Sequence, residues 1–332
     1  TDAYLGNPNL KKINIPQEFT KEQILEYQKC ANDPIYFMET YVRIVSLDEG
    51  LVPFKMYGFQ KKIVETIHNN RFTICKLPRQ SGKSTTTVSY LMHYAMFNPN
   101  SNIALLANKS STARDILGRL QLAYENLPKW MQQGVVNWNK GNIELENKSS
   151  IVAAATSSSA IRGGSYNIIF LDEFAFVPTN IAEMFFSSVY PTISSGQKTK
   201  MVIVSTPYGM NQFYKLWIDA EKKRNDYIPI EVHWSEVPGR DEEWKEVPVI
   251  KDSVVCNIAD MFQRWTNDVY VSTPHRVMNV LDHTRYSMPY FVGPNKDTIV
   301  RNLTNQPDKY EPISSYEYLL WRLGESYIYK DN

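Results

Sequence analysis

Two stretches of the chain hold residues whose types and spacing suit phosphate chemistry. In "CKLPRQSGKSTTT", Cys75 to Thr87, Gly82-Lys83-Ser84 follows a short apolar run and opens what reads as a helix. Backbone N–H groups at a helix start, joined by a fixed ammonium, hold oxyanions, so Gln80, Ser81, Gly82, Lys83, Ser84 and Thr85 form a candidate phosphate cradle. Leu77 stands where such a loop usually carries its first glycine. Taken alone, Gly-Lys-Ser fits equally well a helix start with a hydroxyl near its cap. The second stretch, "NIIFLDEFAF", puts Asp172 and Glu173 at the C-terminal tip of an apolar run, where α/β sheets place their ligands. Asp172 and the Ser84 hydroxyl would hold Mg²⁺, and Glu173 would orient the attacking water, which is the arrangement an ATP hydrolase needs.

Two further features agree in order along the chain. "VIVSTPYG" ends a buried run in Ser205 and Thr206, hydroxyls placed to sense a γ-phosphate, and Gln60 lies upstream on a helical pattern with an amide suited to reading adenine. Each also has an ordinary explanation, since Ser-Thr-Pro commonly ends a strand and a lone Gln is mostly surface.

The elements that must position these residues alternate in the manner of an α/β fold. Helical spacing covers Lys21–Asn32, Pro34–Ser46, Tyr57–Asn69, Lys83 to about Phe97, and Ser110–Asn126. Between them, "FTICKL", "NIALLA", "NIIFL" and "MVIVS" are short, near-continuous apolar runs, the pattern of a central and mostly parallel sheet. "AAATSSSA" reads as a strand end entering a loop.

Composition is that of an ordinary globular chain: 332 residues, 43% hydrophobic, 21% charged, net charge +1. No charge block marks a nucleic-acid or membrane surface, so DNA contacts must be local. Cys30, Cys75 and Cys256 are far apart without a C-x-x-C, which argues for a reducing compartment and against a zinc site. No apolar run approaches the ~18–20 residues of a membrane span. The opening Thr suits an incomplete product.

These motifs resemble the large terminase subunit, the DNA-packaging motor ATPase of tailed bacteriophages, over about residues 15–246. In that family the loop commonly lacks its first glycine and carries an arginine, as in "PRQSGKS". The resemblance implies a P-loop ATPase domain over 57–246 after a helical N-terminal subdomain, 1–56. Arg79 would be the internal arginine finger, Lys83 and Ser84 the phosphate and Mg²⁺ ligands, and Asp172 the Walker B aspartate. Glu173 would be the catalytic glutamate, Gln60 the adenine reader, and Ser205-Thr206-Pro207 the motif coupling hydrolysis to movement. "AIRGGSYN", Ala160–Asn167, is also family-like. The resemblance further implies ATP and Mg²⁺ as cofactors, and viral double-stranded DNA, a portal ring and a small subunit as partners. The expected setting is a homo-oligomeric ring on a procapsid in the host cytoplasm. The acidic nuclease domain of such subunits has no counterpart after the coupling motif.

From Val247 to Asn332 the sequence instead resembles the C-terminal half of isopenicillin N synthase-like 2-oxoglutarate/Fe(II) dioxygenases, a half jelly-roll. His275 matches the later iron-binding histidine, and Arg285 and Ser287 match the pair gripping the far carboxylate of 2-oxoglutarate. The H-x-D motif supplying the other iron ligands is missing, because none of His68, His93, His233, His275 and His283 is followed two residues later by Asp or Glu. Fe(II)/2-oxoglutarate chemistry is therefore not expected, and oxygenase fragment is the alternative reading. Such a joining fits either a recombined viral gene or an assembly artefact.

Overall fold

The computed structural model describes residues 2–46, 49–157, 164–194, 196–238, 254–272, 275 and 289–326. The chain divides into two compact units, Thr1–Glu243 and Trp244–Asn332.

The first unit opens with a hairpin, β1 (Ala3–Tyr4) and β2 (Asn7–Lys11), then α1 (Lys21–Asn32) and α2 (Pro34–Tyr41). Thr20 caps α1 in a reciprocal box with Gln23, and Asp33 ends α1 while capping α2, whose first residue is Pro34. A second hairpin follows, β3 (Arg43–Ser46) and β4 (Gly50–Pro53). The helical spacing read through to Ser46 stops at Tyr41, because β-branched Val42, Ile44 and Val45 favour the extended pairing with β4.

Next come α3 (Gly58–Asn69), β5 (Phe72–Lys76), α4 (Lys83–Phe97), β6 (Asn102–Ala107) and α5 (Ser110–Glu125). A meander adds β7 (Val135–Trp138), β8 (Asn142–Leu145) and β9 (Ser150–Ala155). The unit finishes with β10 (Ile168–Asp172), α6 (Thr179–Ser194), β11 (Lys200–Ser205), α7 (Gln212–Glu221) and β12 (Ile228–Glu231). Eight strands form one sheet in the order β12-β5-β11-β10-β6-β9-β8-β7, parallel from β12 to β9 and antiparallel beyond. This is an α/β P-loop NTPase architecture.

The four apolar runs become β5, β6, β10 and β11, buried on both faces between two core clusters. One cluster takes in Leu10, Cys30, Phe37 and Val42, so residues before β5 pack into the same core as α4 and α5. Because β11 lies between β5 and β10, with Ser205 opposite Lys76 and Asp172 opposite Val204, the C-terminal tips of three strands open on one edge.

The second unit holds α8 (Asp260–Trp265), a two-stranded ladder of β13 (Ile299–Val300) with β14 (Ile313–Ser314), and α9 (Ser315–Ser326). That ladder is its β structure among the described residues. Residues 254–258 lie outside any sheet and are mostly exposed. Much of the jelly-roll-like sequence lies outside the described residues. No described helix is long and apolar enough to cross a membrane.

Candidate functional site

The loop after β5 is anchored at its root. The Leu77 N–H donates to the Ser205 carbonyl at 3.0 Å, carrying the β5–β11 ladder one residue further, and the side chain is buried. Leu77 thus does a strand residue's work where a glycine was expected. The backbone turns left-handed at Gln80 (φ 55°) and Gly82 (φ 72°). A Cβ on Gly82 would lie 2.6 Å from Gln60 Nε2, so glycine is required there for conformation and for close approach. Gln60 is buried and braces the loop from α3. Its Oε1 accepts the Tyr57 N–H at 2.9 Å, and its Nε2 donates to the Ser81 carbonyl at 3.2 Å, leaving one amide hydrogen.

Beyond Gly82 the first-turn N–H groups of α4, those of Lys83, Ser84 and Thr85, have no partner within the helix and point out of its N-terminus. Ser84 Oγ lies 3.1 Å from both carboxylate oxygens of Asp172. Burial, with Glu173 adding, pushes the Asp172 carboxyl up to about 6, against the pull of Lys83, Ser84 and Arg119. A buried carboxylate against a hydroxyl and short of cationic compensation fits Mg²⁺, which takes one or two protein oxygens and completes its shell with water and phosphate. Among the described residues no group of three His, Cys, Asp or Glu gathers as a metal cage.

Glu173 sits at φ 49°, ψ 42°. A non-glycine residue held there costs roughly 1–3 kcal/mol, and its surroundings supply the restraint. Ser205 Oγ accepts the Ala175 N–H at 3.0 Å, and the Thr206 N–H donates to Glu173 Oε2 at 3.1 Å. Lys83 Nζ lies 2.7 Å from Glu173 Oε1 and donates to Thr206 Oγ1 at 3.3 Å. The start of α4 and the residues just past β10 and β11 are thereby closed into one polar ring of Lys83, Glu173 and Thr206.

Arg79 is exposed, its guanidinium 6.0 Å from the Phe176 ring just after Glu173, and Phe176 stacks on Tyr208 at 4.7 Å. Ala160–Gly163 lie outside the described residues. Asn167, the last residue of that motif, knits the strand roots by accepting the Asn102 N–H and, through its carbonyl, the Lys200 N–H.

The Terminase large subunit, T4likevirus-type, N-terminal family matches residues 74–282. The chain belongs to this terminase family. The match runs from β5 through the whole ring just described and past Glu246, where the sequence resemblance ends. The HK97 bacteriophage large terminase shares the fold: TM-score 0.52, 17% identity, covering 61% of this chain and 43% of that one. The large terminase ATPase domain of Thermus phage P74-26 is also similar, at TM-score 0.47 and 19% identity over 55% of this chain and 83% of that one. A third solved structure is a large terminase from another thermophilic bacteriophage, in complex with ATP-gamma-S, at TM-score 0.42 and 16% identity over 57% and 47% of the two chains.

Curated relatives of a second kind match part of the terminase chain. A 2-oxoglutarate-Fe(II) type oxidoreductase of Metarhizium rileyi is 28% identical over 43% of this chain and 38% of its own length. A 2-oxoglutarate-dependent dioxygenase of Penicillium crustosum is 36% identical over 23% and 27%. The chain thus spans less than two fifths of either relative. Of the residues read as oxygenase-like, His275 is exposed, while Arg285 and Ser287 lie outside the described residues.

One residue at the site had escaped the sequence reading. Arg119, on α5, reaches Thr85 Oγ1 at 3.4 Å. A single arginine on an amphipathic helix carries no spacing signal of its own.

Proposed function

We propose that the chain is the ATP-hydrolysing portion of a terminase large subunit, using Mg²⁺-ATP to drive viral double-stranded DNA into a procapsid. The observation that carries this is the convergence of Lys83, Ser84, Asp172, Glu173 and Thr206 on one sheet edge. The α4 N-terminus and Lys83 hold the phosphates, with Gln80, Ser81, Gly82 and Thr85 shaping the cradle and Gln60 bracing it beside the base. Bound Mg²⁺, held by Ser84 and Asp172, would neutralise charge on the β- and γ-phosphates. Glu173 orients water for in-line attack once Lys83 leaves it for the γ-phosphate, and Arg79 joins Lys83 in stabilising developing charge. Thr206, bonded to both Lys83 and Glu173, loses one or both partners as the phosphate arrives, and that change is the first event of coupling. Following the family, the acting form is a ring on the portal with a small subunit, in the host cytoplasm.

The test is a pair of variants of the full chain. Lys83→Ala should abolish ATP binding, whereas Glu173→Gln should bind ATP as before and lose turnover. Wild-type hydrolysis rates in Glu173→Gln would remove Glu173 from the reaction.

A further inference from the structure

Beside the first turn of α4 lies a cavity of about 690 Å³, within the range of small-molecule sites. Gly82 and Thr85 form one wall, Gln60 another, and Arg43, Lys55 and Arg119 contribute three cations. No Asp or Glu is among its lining residues, and among the described residues none of the three cations forms an ion pair with a carboxylate, although the field of Arg119 reaches Asp172. Like charges around one concavity repel each other, and a bound polyanion relieves that repulsion. Lys83 points the other way, to Glu173 and Thr206, so the cavity side of the helix start has a separate positive group.

Arg119 is the cation that touches this helix start. Its Nη1 donates to Thr85 Oγ1 at 3.4 Å, a long bond that a better acceptor would displace. Thr85 is the third residue of α4, and its own N–H belongs to the unpartnered first turn. Lys83 and Ser84 face the γ-phosphate end, beside Glu173 and Asp172, which leaves Thr85 and Arg119 toward the cavity. A guanidinium presents forked donors to a phosphate, where an ammonium offers a point charge.

We infer that Arg119, together with Thr85, holds the α-phosphate of the nucleotide, a phosphate-binding residue outside the P-loop. The inference rests on the ATP reading above and adds a residue to it. The α-phosphate is shared by ATP and ADP and absent from pyrophosphate. Removing the guanidinium therefore lowers affinity for both nucleotides by the same factor and leaves pyrophosphate alone. A hydrogen bond to a charged group has a net value that corresponds to roughly a 10- to 100-fold change.

The experiment is calorimetric titration of the full chain with Mg-ATP, Mg-ADP and Mg-pyrophosphate, for wild type, Arg119→Ala, Arg119→Lys and Lys83→Ala. Equal 10- to 100-fold losses of ATP and ADP affinity in Arg119→Ala, partial recovery in Arg119→Lys, and unchanged pyrophosphate binding support the assignment. Unchanged nucleotide affinity in Arg119→Ala, beside lost affinity in Lys83→Ala, overturns it and leaves the ATP reading standing. A loss confined to ATP, or one shared by pyrophosphate, also overturns it, since the group would then act on the terminal phosphates or through its general field. No ATP binding by wild type removes both readings. Should Arg119→Ala fail to fold, Arg119→Lys decides: an affinity drop of the same size for ATP and ADP supports the assignment, and none overturns it.

Discussion

The two units of the chain are held together by different means. In the first, β10 and β11 are buried on both faces, and Phe170, Leu171, Ile203 and Val204 are wholly hidden between two apolar clusters. In the second, Val300 and Tyr318 are the buried large apolar side chains among the described residues, while Leu319, Leu320, Trp321 and the Tyr290-Phe291-Val292 run are exposed. Its order comes instead from polar contacts. Asp268 accepts from Tyr310, Gln263 and Lys309, and Asn267 joins Pro307 to Lys309. Apolar burial gives large, cooperative stability, whereas exposed charge-assisted bonds contribute little each. A site that must hold a strained glutamate needs the former.

The largest effect that tests this contrast is chemical. If Asp172 shares Mg²⁺ with Ser84 as proposed, Asp172→Asn should lower ATP turnover at least 100-fold, without altering hydrogen exchange in the second unit. A change of exchange there would show that the units report on each other. Next come paired truncations. Phe170→Ala should cost about 3–5 kcal/mol in denaturant melts of the first unit, and Leu320→Ala less than about 0.5 kcal/mol. Comparable losses would mean that the second unit possesses a real core.

Acid should separate the units by pH window. His93 is buried among Phe37, Tyr90 and Phe97, with Asp33 and His68 the titrating groups that act on it. Its Nε2 donates to the Cys30 carbonyl at 2.8 Å, and its Nδ1 has no partner among the described residues. Burial pulls its pKa from 6.5 to about 4. The unfolded chain therefore binds the proton first, and stability present above pH 6.5 is lost as pH falls towards 4, by up to about 3 kcal/mol. His93→Phe should flatten that limb of a stability–pH profile, and an unchanged slope would assign it elsewhere. The smallest effect belongs to Asp268, drawn from 3.8 to about 2 by Tyr310, Gln263 and Lys309. Its contribution is present above pH 4 and fades towards 2, so protection of the amides around Asp268 should persist through the His93 window and fall only slightly below it.

How much of this could be read from the sequence follows from the same physics. The runs that became β5, β6, β10 and β11 stood out because a strand covered on both faces must be apolar throughout, and their ends shifted by a residue at most. The extension of α2 into Ser46 erred because helical spacing cannot distinguish a short β-branched hairpin strand whose partner lies a turn away. The meander β7–β9 was legible only at its last strand, since half-exposed strands mix polar residues freely. At the site, the types and order of Lys83, Ser84, Asp172 and Glu173 were visible in the motifs. The Lys83–Glu173 pair and the reach of Arg119 to Thr85 were not, because both depend on which strands become neighbours.

The Leu77 amide, finally, offers a private clock. It is buried, and its proton is committed to the carbonyl of Ser205, the residue on which β11 ends. That proton can trade with solvent only when the root of the loop after β5 parts from the tip of β11. Its exchange rate, followed with and without nucleotide, therefore reports how readily those two backbones part.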